Sequence, residues 1–425
     1  MNSILVIGAQ WGDEGKGKIS NYFSGKADIV VRYQGGNNAG HSVAFDGKTF
    51  HLQTIPSGIF NSKTLNILGN GMVINPLALY DEMQKLKEAG FDCKNIAIST
   101  RAHLDLEYHL ELDGLEEVAL KEKKIGTTKK GIGPCYKDKV SRSGLRMCDF
   151  IRDDFDKKYA ENLKIKNSEI VALGGKPIDL EESLKKYHKA KELIKPLVKD
   201  TITILSKAKE ENKKIVFEGA QGTMLDIDFG TYPYVTSSNT TSGGAISGSG
   251  IGLGSIDGIC AIVKAYTTRV GEGPFVTEQN NEIGNCIREK AHEYGVVTHR
   301  PRRIGWLDLV QLTYSRNVNG FKHVALMLLD ILGGLKEIKV CVGYKLDGKE
   351  IDYYPADLDE LKRVEPIYKS FKSWNEDISN CKAFGELPEA CKTYVKFIED
   401  FLKIKINIVS VGPSREQTII CEEIF

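Results

Sequence analysis

The stretch from Ile4 to Ser42 limits the fold more than any other part of the chain. It opens with the apolar run Ile4-Leu5-Val6-Ile7 and breaks into Gly8-Ala9-Gln10-Trp11-Gly12-Asp13-Glu14-Gly15-Lys16-Gly17-Lys18. That order predicts a buried strand, a glycine-rich loop and then a helix. A second apolar run, Ile29-Val30-Val31, feeds Arg32-Tyr33-Gln34-Gly35-Gly36-Asn37-Asn38-Ala39-Gly40-His41-Ser42. Both loops are expected to leave the same end of a parallel sheet, where open α/β folds place their ligands.

The first loop fits G-x-x-x-x-G-K-[ST] from Gly12 to Lys18, but Ile19 stands where a Mg²⁺-binding hydroxyl belongs. Part of the phosphate-loop physics survives. Glycines let backbone N–H groups turn toward an anion, Lys16 and Lys18 add positive charge, and the next helix N-terminus adds a modest favourable field. Asp13 is out of place beside phosphate unless a metal ion or a proton transfer offsets the repulsion. It can bind Mg²⁺, act as a base, or do both. His41 suits proton donation or a charge-assisted contact with a developing anion.

Charge narrows the partners. Lys plus Arg total 58 and Asp plus Glu 57, a net charge of +1. This argues against a nucleic acid partner or an anionic membrane surface. Nine cysteines are scattered without a CxxC pair, the pattern of free thiols in a reducing compartment. Met1-Asn2-Ser3 enters a strand at once with no signal-peptide order, and no window offers eighteen apolar residues. A cytoplasmic protein is expected.

Further along, strands are expected at Thr49–Leu52, Leu65–Leu68 and Ile96–Ile98, and a helix over 76–89. The stretch 101–117 mixes both periodicities and stays unassigned. The histidines at 51, 103, 109, 188 and 323 lack metal-ligand spacing. Ile125-Gly126-Thr127-Thr128-Lys129-Lys130-Gly131-Ile132-Gly133-Pro134 can surround a phosphate, with Arg142 and Arg146 extending the basic set. Residues 153–167 and 180–212 read as amphipathic helices. A strand over 214–217 runs into Glu218-Gly219-Ala220-Gln221-Gly222-Thr223, placing Gln221 over the sheet edge. The run 232–254 is too polar for a simple core segment; it supplies hydroxyls and an amide for a phosphate or nucleobase pocket, or else is an ordered surface loop. Thr298-His299-Arg300-Pro301-Arg302-Arg303 favours a dicarboxylate or a phosphorylated substrate, since guanidinium forks bind carboxylates bidentately. Asp330 and Ser410-Val411-Gly412 are candidate walls of a base pocket, the latter after a strand over 404–409.

In these motifs, and in their order, the sequence closely resembles the adenylosuccinate synthetases over essentially its whole length. The strongest match is Gln10 to Lys18, followed by Gly40-His41, Ile125 to Pro134, Glu218 to Thr223, Tyr232 to Thr241 and Gly305-Trp306-Leu307-Asp308. The resemblance implies one catalytic unit over 1–425, a large mostly parallel α/β sheet with smaller peripheral subdomains, and a mostly helical insertion over about 101–213. It implies GTP-dependent ligation of IMP and L-aspartate through 6-phosphoryl-IMP, giving adenylosuccinate, GDP and phosphate. Asp13, His41 and Gln221 are then catalytic, and Asp13 with the Gly40 carbonyl holds Mg²⁺. GTP falls to Gly12, Glu14, Gly15, Lys16, Gly17, Lys18, Gly40, His41, Ser42, Arg302, Asp330, Ser410 and Gly412. IMP falls to Asp13, Asn38, Thr127, Thr128, Arg142, Gln221, Thr236, Val270 and Arg300, with Arg142 donated across a homodimer. Aspartate falls to Thr298, Arg300 and Arg302. Leu328 stands where many relatives carry lysine, and Gly333 where an acid is common.

Overall fold

Ten strands build the core of the protein, a computed structural model that describes residues 1–38, 40–45, 48–121, 124–295 and 300–425, with backbone alone at 41–45 and 48–49. The sheet runs Thr418–Ile420, Ile406–Ser410, His323–Met327, Gly258–Lys264, Ser3–Gly8, Ile215–Glu218, Ile29–Arg32, Leu65–Leu68, Ile96–Ser99 and Val198–Lys199. Every pairing is parallel except the edge strand Thr418–Ile420. The central strands are almost continuously apolar and Ile4 to Ile7 are fully buried, as a parallel sheet covered on both faces requires. The two opening loops do leave the same end of this sheet. They flank the loop after Ile215–Glu218, so three loops converge at the carboxyl ends of neighbouring strands.

Local sequence explains several boundaries. Asn75 accepts from Leu77 N and Ala78 N and caps the helix Pro76–Glu88, with proline at its first position. The unassigned stretch contains the helix Glu107–Ala119. The helices Phe155–Ala172, Leu180–Ile194 and Thr201–Glu210 follow, and much of this region shares its own apolar core with Pro76–Glu88. The two-residue strand Val198–Lys199 joins the central sheet, which ties this helical region into the main body. Lys48–Leu52 pairs with His41–Phe45 as a separate hairpin and stays off the central sheet. A smaller sheet of Leu307–Asp308, Ile338–Leu346, Lys349–Ile351 and Glu365–Phe371 forms a peripheral lobe.

One expectation fails. The polar run 232–254 is not all loop: Ser242–Ser249 is a helix with Gly244, Ala245, Gly248 and Ser249 buried. Its small side chains let it approach the sheet closely, and Gly71 N donates to Gly248 O at 2.8 Å. A Cβ at Gly248 would overlap the Tyr33 carbonyl, and one at Gly71 would lie 2.5 Å from Gly248 Cα. Hydroxyl and glycine composition hid a helix selected for thinness.

Gly248→Ala is therefore expected to cost about 1–3 kcal/mol, seen as a lower urea midpoint, because backbone must shift to admit one methyl group. Asp308 gives a pH prediction. It caps the helix Leu309–Asn319 and accepts from Tyr344 Oη, and burial raises its carboxyl to about 6. The stability from such a raised carboxyl is fully present below the unfolded value near 4 and is lost as pH rises through 6. Asp308→Asn keeps a capping oxygen and removes the titration. Relative to that variant, the parent chain should lose about 2–3 kcal/mol between pH ~4 and ~7 in urea melts.

Candidate active site

Glu14 is the hub of the first loop. Its carboxylate is fully buried, and Oε1 accepts the Gln10 N–H at 3.0 Å and the Gly12 N–H at 2.9 Å. Oε2 pairs with Lys16 Nζ at 2.6 Å. A Cβ at Gly8 or Gly222 would lie 2.5 Å from this carboxylate, so glycine is required at both. Gly12 (φ 83°) and Gly15 (φ 92°) take the left-handed turns that wrap the loop around it. The sequence reading gave Glu14 and Lys16 to the nucleotide. Here their side chains hold one another, and the Glu14 carboxylate is fully used within the loop.

Asp13 points outward from this wrapped loop. It is a left-handed non-glycine residue at φ 57°, and its exposed carboxylate lies 2.7 Å from Arg302 Nε. Lys18, the expected phosphate lysine, turns elsewhere. Its Nζ donates to Ser410 Oγ at 2.7 Å and to the Gly412 and Gln417 carbonyls at 2.9 Å each. Burial lowers its ammonium to about 8, against the pull of Asp330 and Glu416. The lysine thus fastens the helix Lys16–Ser24 to the far wall of the site.

Gln221 is held in one orientation. Gln34 Nε2 donates to Gln221 Oε1 at 2.8 Å, while Gln34 Oε1 accepts the Ala220 N–H at 2.9 Å. The amide assignment follows from that network. Gln221 Nε2 is buried and has no hydrogen-bond partner among the described residues. Gln221 is left-handed (φ 58°), and its backbone packs against Gly12. Asn38 lies at the same corner, with Oδ1 accepting from Gly36 N at 3.3 Å. A buried N–H donor with its acceptor end already taken is a site waiting for an oxygen.

The other loops gather around this corner. Ser237 Oγ lies 3.5 Å from where a Gly133 Cβ would sit, joining the 236–241 run to the helix Ile132–Ser141. Asp226, fully buried, shapes that run: Oδ2 accepts from Thr240 N at 2.6 Å and Thr241 N at 3.0 Å. Thr236 N donates to Leu225 O, and its hydroxyl lies 3.4 Å from Ser238 Oγ. Thr127 is half-buried and Thr128 exposed in a loop whose Gly126 N–H donates to Glu117 at 2.6 Å. Val270 and Arg300 are exposed. Arg142, also exposed, is the left-handed C-cap of Ile132–Ser141. Gly40 is exposed. Thr298 lies outside the described residues, as do the side chains of His41 and Ser42.

On the last wall, Asp330 sits in the short turn after His323–Met327, and burial raises its carboxyl against Lys290 and Lys18. Leu328 is left-handed at φ 57° and lines the approach to Gly15. At Gly333 a Cβ would lie 2.8 Å from Trp374 Nε1, so the indole fills the space beside this residue.

Two donor sets bear on metal binding. The Asp13 carboxylate and the Gly40 carbonyl are hard oxygens on exposed residues, and the cation now at Asp13 is a side chain that another cation can replace; they fit Mg²⁺. Asp105, His109 and Cys135 also bring ligand atoms within 4.8 Å of one another. There, however, His109 Nδ1 accepts from Leu106 N and Nε2 faces Asp138 at 3.0 Å, so both ring nitrogens are engaged in the fold.

Sequence reasoning missed Gln34, Asp226, Lys264 and Glu293. Gln34 lay inside a quoted motif, one residue before its glycines. Lys264 and Glu293 carried no signal, since each gains meaning only from a contact that the fold makes outside its own stretch of sequence.

The adenylosuccinate synthetase family model matches residues 5–419. An adenylosuccinate synthetase of Ligilactobacillus salivarius is 49% identical over 427 residues, spanning 100% of this chain and 99% of the relative. One from Clostridium perfringens is 50% identical over 422 residues, 99% of each chain. The fully ligated adenylosuccinate synthetase from Plasmodium falciparum matches with a TM-score of 0.95 at 41% identity, covering 99% of this chain and 100% of that one. With a family model matching residues 5–419 and a relative 49% identical over the whole chain, the chain belongs to the adenylosuccinate synthetase family.

Proposed function

We propose that this enzyme ligates IMP to L-aspartate at the expense of GTP, with Asp13 as base and Gln221 as the donor to the purine O6. The observation that carries the reading is the Gln221 amide: its oxygen is fixed by Gln34 and its buried Nε2 lacks a partner among the described residues. A base needs to stand beside such a donor, and Asp13 follows the glycine packed on the Gln221 backbone.

Asp13 takes the N1 proton of IMP as O6 attacks the γ-phosphate of GTP. Gln221 Nε2–H stabilises the charge on O6, and His41 serves the transferring phosphoryl group. The Asp13 carboxylate and the Gly40 carbonyl would hold Mg²⁺, which would compensate the phosphate charge. O6 now leaves as phosphate, and the aspartate amine takes its place at C6. Thr298, Arg300 and Arg302 hold the aspartate, and Asn38, Thr127, Thr128, Thr236 and Val270 hold IMP. Asp330, Ser410 and Gly412 read the guanine, whose N1–H and amino group suit a carboxylate acceptor better than adenine does. Arg142 reaches the IMP phosphate of a partner subunit in a homodimer; its exposure at a helix end supports that role. No helix among the described residues is long and apolar enough to cross a membrane. We place the enzyme in the cytoplasm.

With IMP, aspartate and Mg²⁺, GTP should give adenylosuccinate and equimolar GDP, and ATP far less product. IMP labelled with ¹⁸O at O6 should deliver its label to the released phosphate. Phosphate without label would rule out activation at O6. Asp13→Asn should lower kcat by about 10³-fold or more while GTP binding by calorimetry changes little; normal turnover by that variant would remove Asp13 as the base.

A further inference from the structure

The Arg302 guanidinium is held from two sides, and the two sides differ in burial. Nη1 pairs with Glu293 Oε2 at 2.6 Å, where the Glu293 side chain is 2% exposed. Nε faces Asp13 Oδ2 at 2.7 Å, where the Asp13 side chain is 40% exposed. Behind Glu293 stands Lys264, 2% exposed, with Nζ at 2.7 Å from Oε1, and the Tyr266 hydroxyl donates to the same oxygen. The four charges alternate from Lys264 through Glu293 and Arg302 to Asp13. Backbone reinforces the inner half: Arg302 N donates to Glu293 O and Gly295 N to Arg300 O, each at 2.9 Å. Tyr294 and Pro301 form an antiparallel bridge between them.

Solvent decides which end of this row can let go. The Asp13 carboxylate is already partly in water and can be released to it, whereas breaking the Glu293 contact would strand charge in the interior. We propose that Glu293 is a positioning residue for amino-acid recognition. It anchors Arg302 so that the guanidinium exchanges the Asp13 carboxylate for a carboxylate of the incoming aspartate. One ion pair replaces another, and Asp13 is released from the guanidinium as the amino acid arrives. This rests on the reading of Arg302 as an aspartate contact.

The test is steady-state kinetics on the full-length enzyme, with each substrate varied in turn, for Glu293→Gln, Arg302→Leu and the double variant. Glu293→Gln should raise the aspartate KM about tenfold or more, the loss expected for a charged hydrogen bond, and leave the KM for IMP within about twofold, with any rise for GTP, which Arg302 also meets, smaller than that for aspartate. In the Arg302→Leu background the same change should move the aspartate KM less than about twofold, since Glu293 then has nothing to position. If Glu293→Gln fails to fold, Lys264→Met combined with Glu293→Gln removes both buried charges and is held to the same outcomes. A raised aspartate KM in Arg302→Leu alone overturns the role of Glu293 and leaves Arg302 in place. Equal rises in all three KM values make Glu293 merely structural and overturn the proposal. An unchanged aspartate KM in Arg302→Leu defeats the reading of Arg302 itself.

Discussion

A buried carboxylate organises this site from within. Glu14 takes two backbone N–H groups of its own loop and the ammonium of Lys16. An ion this deep is tolerated only when its hydrogen bonds are met and a counter-charge is close, and all three partners come from residues 10–16. The loop is thereby wound around an internal anion and gains its shape without ligand. Two glycines, one on the same strand and one on the neighbouring loop, leave space for the carboxylate. The outward projection of Asp13 is a consequence of that winding.

Strain follows the same geography. Asp13, Gln221 and Leu328 are non-glycine residues with φ near 57°, and each belongs to a different loop at the carboxyl ends of the sheet. Side chains pay about 1–2 kcal/mol for this conformation, which persists where the surroundings overdetermine it. Here the surroundings are visible: the Glu14 hub beneath Asp13 and the Gln34 amide against Gln221. For both, preorganisation is built by neighbours in space and lies one layer behind the side chains that face the site.

Most of the architecture could be read in advance because the sheet is parallel. Runs such as Ile4 to Ile7 and Ile29 to Val31 are apolar on both faces, and each ends in punctuation that marks a ligand loop. Pairing order was not legible, since nothing local says that Ile215–Glu218 slots between Ser3–Gly8 and Ile29–Arg32. The helix Ser242–Ser249 escaped because glycine and serine, poor helix formers in isolation, are what close packing on Tyr33 demands. The site divided along a similar line. Residues in contiguous motifs were found; Glu293, Lys264 and Asp226 were not, because each takes its worth from a partner outside its own stretch of sequence. Lys18 was found for a motif reason, yet its amine serves the opposite wall.

That tether has a consequence for how the molecule is made. Lys18 and Ser410 are 392 positions apart, and their contact joins the earliest part of the chain to nearly the latest. During synthesis the amino-terminal loop emerges first and can wind on its own glutamate, but its lysine has no carbonyls to grasp until the final strand leaves the ribosome. Nascent chains therefore lack the wall that Ser410 and Gly412 form, and the tether closes only once that segment has been made.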